Sequence, residues 1–143
     1  MITMPSVYTA PKFSLSARRI AEISFIGTVP LAPAQLTLLS SLISFSFVVR
    51  SVNIDFGHDH TDSVLHYILL SHNRTASTTS CPADTNALTG LSELAYVIGN
   101  NREKRYFPNT EWRDPPSYVK VHIDNNNAYA VTVKVTVTIE ELV

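Results

Sequence analysis

The chain has 143 residues, 45% of them hydrophobic and only 16% charged, which excludes a largely disordered protein and supplies one ordinary domain with a core. Eleven basic and twelve acidic side chains leave a formal net charge of -1, so no specific nucleic acid is expected as a partner, because a polyanion binder carries a basic excess. The single cysteine, Cys81, rules out an internal disulfide framework and a thiolate zinc site, and no catalytic signature surrounds it.

Residues 1–20 contain Pro5 and Pro11 and the basic side chains Lys12, Arg18 and Arg19, with no acid before Glu22. Such a segment cannot pack a core, which predicts an extended N-terminal arm over 1–20, with a frayed terminus as the competing reading, and a single β-sandwich domain over 21–143. No apolar stretch directly follows the first charges, so no signal peptide is expected. Tyr8, Phe13 and Leu15 are apolar anchors, and Lys12, Phe13, Arg18 and Arg19 are candidate contacts to a neighbouring subunit. Leu31 to Val49 runs nineteen residues without a charge, the length of a membrane span. Pro33, Gln35 and five Ser or Thr residues argue against that reading, and no membrane insertion is expected.

From Glu22 onward the pattern is that of strands. A first strand runs from Ile23 to Val29 and stops at Pro30 and Pro33, which cannot donate to a central ladder. Gln35 to Leu39 reads as a second strand, with a short helix over 34–42 as the alternative. In Phe45 to Phe56 the apolar phase starts as Phe45, Phe47, Val49 and becomes Val52, Ile54, Phe56, which predicts a β-bulge or a bend near Arg50. Val64 to Leu70 is nearly all apolar, as a strand covered on both faces is. Ser71 to Gly90 is a long polar loop of the kind compact domains keep for function or assembly. Leu91 to Ile98 reads as a short helix or as a strand over 95–98, Gly99 to Arg102 as a turn, Lys104 to Phe107 as a short strand, and Asn109 to Pro116 as a loop.

The C-terminal run carries the strongest signal. Val119, Val121 and Ile123 alternate with Tyr118, Lys120 and His122. After a polar turn over Asp124 to Ala128, Val131, Val133, Val135, Val137 and Ile139 alternate with Thr132, Lys134, Thr136, Thr138 and Glu140. The spacing predicts a β-hairpin with one apolar and one wet face, which needs a second layer to cover it. Thr132, Lys134, Thr136 and Thr138 keep its outer face β-prone and soluble, and as a long edge strand it would need pairing, which a neighbouring subunit can give. The expected fold is therefore all-β, an antiparallel sandwich or jelly roll of about eight strands.

Chemistry is sparse. Asp55, His58, Asp59, His60 and Asp62 are dense enough in imidazole and carboxylate to suit a divalent metal, with His58, Asp59 and His60 as the candidates. A solvated loop with turn-favouring Asp is the competing reading, and no metal or other cofactor is expected. The glutamates are scattered, and no nucleophile elbow, phosphate loop or dinucleotide fingerprint appears among four glycines, so no enzyme activity is expected. Tyr106, Phe107 and Trp112, with Arg102, Arg105 and Arg113, suit a sugar-stacking platform or a subunit contact, since Trp, Tyr and Arg dominate binding hot spots. Core-edge packing around Trp112, stiffened by Pro115 and Pro116, explains the same residues.

The segment Trp112-Arg-Asp-Pro-Pro-Ser-Tyr-Val-Lys-Val-His-Ile-Asp-Asn with the Val-Thr ladder after it resembles the closing strands of small phage and viral β-sandwich structural proteins. Phe45 to Phe56 leading into Val64 to Leu70 is similar to their early strands, so the resemblance spans residues 22–143. It implies a jelly-roll-like, capsid-associated structural protein: a minor capsid, decoration or spike-base subunit of a virion, assembled in the host cytoplasm. It implies as partners copies of the same chain, in a homo-oligomer such as a trimer, and other capsid proteins. Tyr106, Trp112 and Arg113, together with the arm, are then contact residues rather than catalytic ones. A carbohydrate-binding or adhesin-like sandwich using Trp112, Tyr106 and the 71–90 loop is the alternative.

Overall fold

The computed structural model describes residues 19–57, 60, 63–74, 84–93, 95–100 and 102–142. Among them are nine strands and no helix: β1 (Ile20–Val29), β2 (Ala34–Leu39), β3 (Phe47–Phe56), β4 (Val64–Ser71), β5 (Thr85–Asn86), β6 (Arg102–Tyr106), β7 (Thr110–Trp112), β8 (Tyr118–Asn125) and β9 (Val131–Glu141). They form two antiparallel sheets. Sheet A has the order β1-β9-β3-β6, with the short β7 also pairing β3, and sheet B has the order β2-β8-β4-β5. The first and last long strands are neighbours, the second pairs the penultimate, and the chain changes sheet at each step from β1 to β4 and again from β5 to β6, β7 to β8 and β8 to β9. That is jelly-roll order.

The inner faces follow the period of two in the sequence. Phe25 and Val29, the ladder from Val131 to Ile139, and Phe47, Val49, Val52, Ile54 and Phe56 line sheet A. Val64, Ile68 and Leu70 with Val119, Val121 and Ile123 line sheet B. Burying each such side chain is worth roughly 2 kcal/mol, and this shared core holds the two layers together. Leu36 and Leu38 of β2 close the space over Gly27, where a Cβ would lie 2.8 Å from Leu36 Cδ2. A Cβ on Gly99 would meet the Phe56 ring at 2.6 Å, so the chain passes there only as glycine.

The expected bulge is present. Val49 pairs Ile139 and Ser51 pairs Thr138, leaving Arg50 as the extra residue. Its guanidinium turns outward to Glu140 Oε1 at 2.9 Å and to Asn109 Oδ1 at 3.2 Å. One added residue is what lets Phe47 and Val49 share a face with Val52 and Ile54.

Four expectations are corrected. β8 and β9 are not a hairpin: β8 pairs β2 and β4, whereas β9 pairs β1 and β3. The polar connection between them crosses from one sheet to the other, held by Asn125, whose Nδ2 donates to Pro30 O at 2.8 Å and Tyr129 O at 3.1 Å while Oδ1 accepts from Asn127 N at 2.9 Å. For the same reason the valine ladder is an interior strand, and the edge beside it is β1. Residues 91–98, as far as described, form neither helix nor strand; Val97 makes a single bridge to His66. The loop over 109–116 contains β7, paired to Phe47, Val48 and Val49.

Candidate functional site

The polar face of β8 is buried rather than wet, because polar partners meet it: Asp84 against Lys120, and Thr37 and Tyr67 of the flanking strands against His122. Lys120 Nζ meets Asp84 Oδ2 at 2.9 Å with the two side chains 0% and 3% exposed. Ser71 Oγ donates to Asp84 Oδ1 at 2.7 Å. One register step along, His122 Nδ1 lies 2.7 Å from Thr37 Oγ1, and its Nε2 lies 3.1 Å from Asp124 Oδ1. An ionised carboxylate only accepts, which places the ring proton on Nε2 and leaves Nδ1 to accept from the Thr37 hydroxyl. Burial pushes the His122 pKa down, against the pull of the Asp124 carboxylate, and Lys120 adds to the lowering. Tyr67 packs on the imidazole at 5.7 Å between centroids, with Tyr96 edge-on to it at 5.9 Å. Burial raises the Tyr67 pKa, and the negative charge of Asp124 raises it further.

A hydroxyl, an imidazole and a carboxylate in this order have the relay logic of an activated nucleophile. The adjoining open cavity of about 390 Å³ is lined by Pro33, Ala34, Gln35, Asp124 and Asn126. Only the carboxylate end of the relay reaches it, and the hydroxyl that would attack faces β8. The network serves cross-strand cohesion between β2 and β8.

A second cluster sits inside the sandwich. His60 and His66 are both fully buried, with rings stacked at 5.2 Å and 26° and Phe56 edge-on to each. His66 lies on the inward phase of β4, and neither of its ring nitrogens reaches a hydrogen-bond partner. Burial, aided by the neighbouring His60, lowers its pKa to about 3, while the main chain at Val64 pulls weakly the other way. His60 was expected on a solvated loop; the aromatic end of the core takes it in instead. His58 and Asp59 lie outside the described residues. Among the described residues no three His, Cys, Asp or Glu side chains gather to hold a metal ion.

The candidate contact residues are dispersed. Lys12, Phe13 and Arg18 lie outside the described residues. Arg19 closes the end of the β1–β9 pair, its Nη2 at 3.1 Å from Glu141 Oε2 and its guanidinium 4.4 Å over the Phe45 ring. Tyr106 pairs Val52 and Trp112 pairs Phe47, five positions apart along β3 or roughly 17 Å at strand rise. Both are half-buried against the core rather than side by side on one platform. Burial raises the Tyr106 pKa, opposed by Arg102. Trp112 Nε1 donates to Asp114 O at 3.1 Å, His72 packs on its ring at 5.1 Å, and Arg113 pairs with Glu111 at 2.9 Å.

β1 forms one edge of sheet A. This ten-residue strand pairs β9 and, among the described residues, nothing on its other flank. Ile20 and Ile26 stand 69% and 66% exposed on its outer face. Across the outer face of sheet A, from β1 to β6, lies a polar groove of about 230 Å³ lined by Glu22, Ser51, Asn53, Arg105, Thr136 and Thr138. No helix among the described residues is long and apolar enough to cross a membrane. Comparison with protein-family models, with curated proteins and with solved structures finds no match.

The sequence reading missed the Lys120–Asp84 pair, the Thr37–His122–Asp124 relay and the place of His66. One signal was available: three ionisable residues at 120, 122 and 124 alternate within one strand, a row that must be either solvated or matched by partners.

Proposed function

We propose that this protein is a structural assembly subunit of a phage or virus particle, acting as a minor capsid, decoration or spike-base protein through contacts between subunits. The observation that carries the reading is the flank of β1, a long strand whose main chain on that side pairs nothing among the described residues and which carries two exposed isoleucines. A strand edge of that length and character is a template for pairing with another chain unless it is blocked. The jelly-roll order narrows the class, since that architecture is shared by viral capsid and lectin domains. Tyr106 and Trp112 give no common stacking platform, which favours subunit contact over sugar binding.

The eighteen residues before Arg19 lie outside the described ones; a chain of that length can reach at most about 60 Å when fully extended, enough to lie across a neighbouring copy. The partners are copies of this chain in a closed ring, a trimer being one such form, and other capsid proteins. Removing residues 1–18 leaves Arg19 and β1 in place, so the truncated chain should melt as the full chain does while sedimenting as a smaller species. Equal assembly by the truncated chain would reject the arm's part in it.

A further inference from the structure

Lys120 and Asp84 are sealed from solvent in a way that ion pairing alone does not reward. Burying a matched pair of charges is at best near neutral against an apolar pair of the same volume, because both ions lose their hydration. The arrangement has a second feature. Lys120 stands on β8, an interior strand of sheet B, while Asp84 directly precedes β5, 36 positions away in the chain. Oδ2 of the carboxylate faces the ammonium at 2.9 Å, and Oδ1 accepts the Ser71 hydroxyl at 2.7 Å. An amine, a carboxyl carbon and a donor on the carboxyl's other oxygen are the parts of an acyl transfer.

We propose that Lys120 and Asp84 condense into an intramolecular isopeptide bond between Nζ and Cγ, releasing one water. The ammonium first passes a proton along its hydrogen bond to Oδ2, giving a free amine beside a carboxylic acid. The amine lone pair attacks Cγ, and the carbonyl electrons move to Oδ1, where the Ser71 hydroxyl stabilises the negative charge. A second proton leaves nitrogen for the Oδ2 hydroxyl, which departs as water while the Cγ–Oδ1 double bond re-forms. One hydrogen stays on the amide nitrogen, and no oxidant, metal or co-reactant is needed. Holding the two groups in contact supplies the effective concentration that free amine and acid lack, and a closed site has no bulk water to reverse the step. The bond ties the residue that precedes β5 to the interior strand β8, a covalent brace within one subunit.

The test is the intact mass of the purified full chain under denaturing conditions. The expected value is the sequence mass less one water. Trypsin should release residues 75–102 and 114–134 as one branched product, because an acylated Lys120 is not cut. Lys120→Met and Asp84→Ala should each restore the full mass of their own sequence, and Ser71→Ala should slow bond formation about 100-fold, the effect of losing one oxyanion donor. A wild-type chain at its full sequence mass overturns the proposal without reference to any variant. So does a dehydrated chain that trypsin still cuts after Lys120, since that is a succinimide and not a cross-link.

Discussion

Replacing His66 by leucine should remove much of the acid sensitivity of the fold. The folded ring titrates at about 3 and the unfolded one near 6.5, a gap worth about 5 kcal/mol at about 1.4 kcal/mol per decade. The sign follows from which state takes the proton. Above pH 6.5 both states are neutral and stability is full; as pH falls from 6.5 toward 3, the unfolded chain binds a proton that the folded core refuses. Stability is therefore lost progressively, by about 2 kcal/mol at pH 5. The groups packed on the ring offer no counter-charge: His60 stacks on it, Phe56 meets it edge-on, and the Lys104 ammonium lies beyond the Phe56 ring at 5.9 Å. Urea unfolding followed by Trp112 fluorescence at pH 7 and pH 5 gives the two stabilities for each chain. Wild type should lose about 2 kcal/mol more than His66→Leu between those pH values, the carboxylates and His122 being common to both. At pH 7 the variant should be as stable as wild type or more so, because two unpartnered ring nitrogens leave the core. Equal pH dependence of the two chains would refute a buried neutral His66.

Asn125→Ala should destabilise by about 2 to 4 kcal/mol in the same urea assay, because three hydrogen bonds across the sheet-to-sheet crossover are lost and Pro30 O, Tyr129 O and Asn127 N are left without that partner. Deleting Arg50 should be tolerated, costing no more than about 2 kcal/mol, since removing the bulge residue leaves a regular alternation of Val49 and Val52. Deleting Asn53 instead puts Ile54 and Phe56 on the wrong face, and circular dichroism should show an unfolded chain. Tolerance of both deletions, or of neither, would contradict the register between β3 and β9.

The bulge was legible in the sequence because a change of apolar phase is a local signal, written in Val49, Arg50 and Val52 themselves. The two-layer all-strand body was legible for the same reason, through Val131 to Ile139 and Val64 to Leu70. The hairpin was misread because a polar link with Asp124 to Asn127 suits a turn between paired strands and a crossing between sheets equally well. Which strand pairs with which is decided by the whole core, since β9 needs β1 and β3, at opposite ends of the early chain. The candidate sites were less legible still. His66 sits in a run of apolar residues and resembles a solvent-side interruption until Val97 and Phe56 close over it. Lys120 and Asp84 come from segments 36 positions apart, and nothing in either segment marks the other. The β1 flank was hidden by the assumption that the valine ladder was the edge.

The central claim, that the flank of β1 is an assembly surface, is met most directly by light scattering on the purified full chain across a range of concentrations. The account predicts a discrete oligomer that Ile20→Lys with Ile26→Lys reduces to a single chain, while the strand-type circular dichroism spectrum stays as it was. A wild-type protein that remains a single chain at every concentration would contradict it.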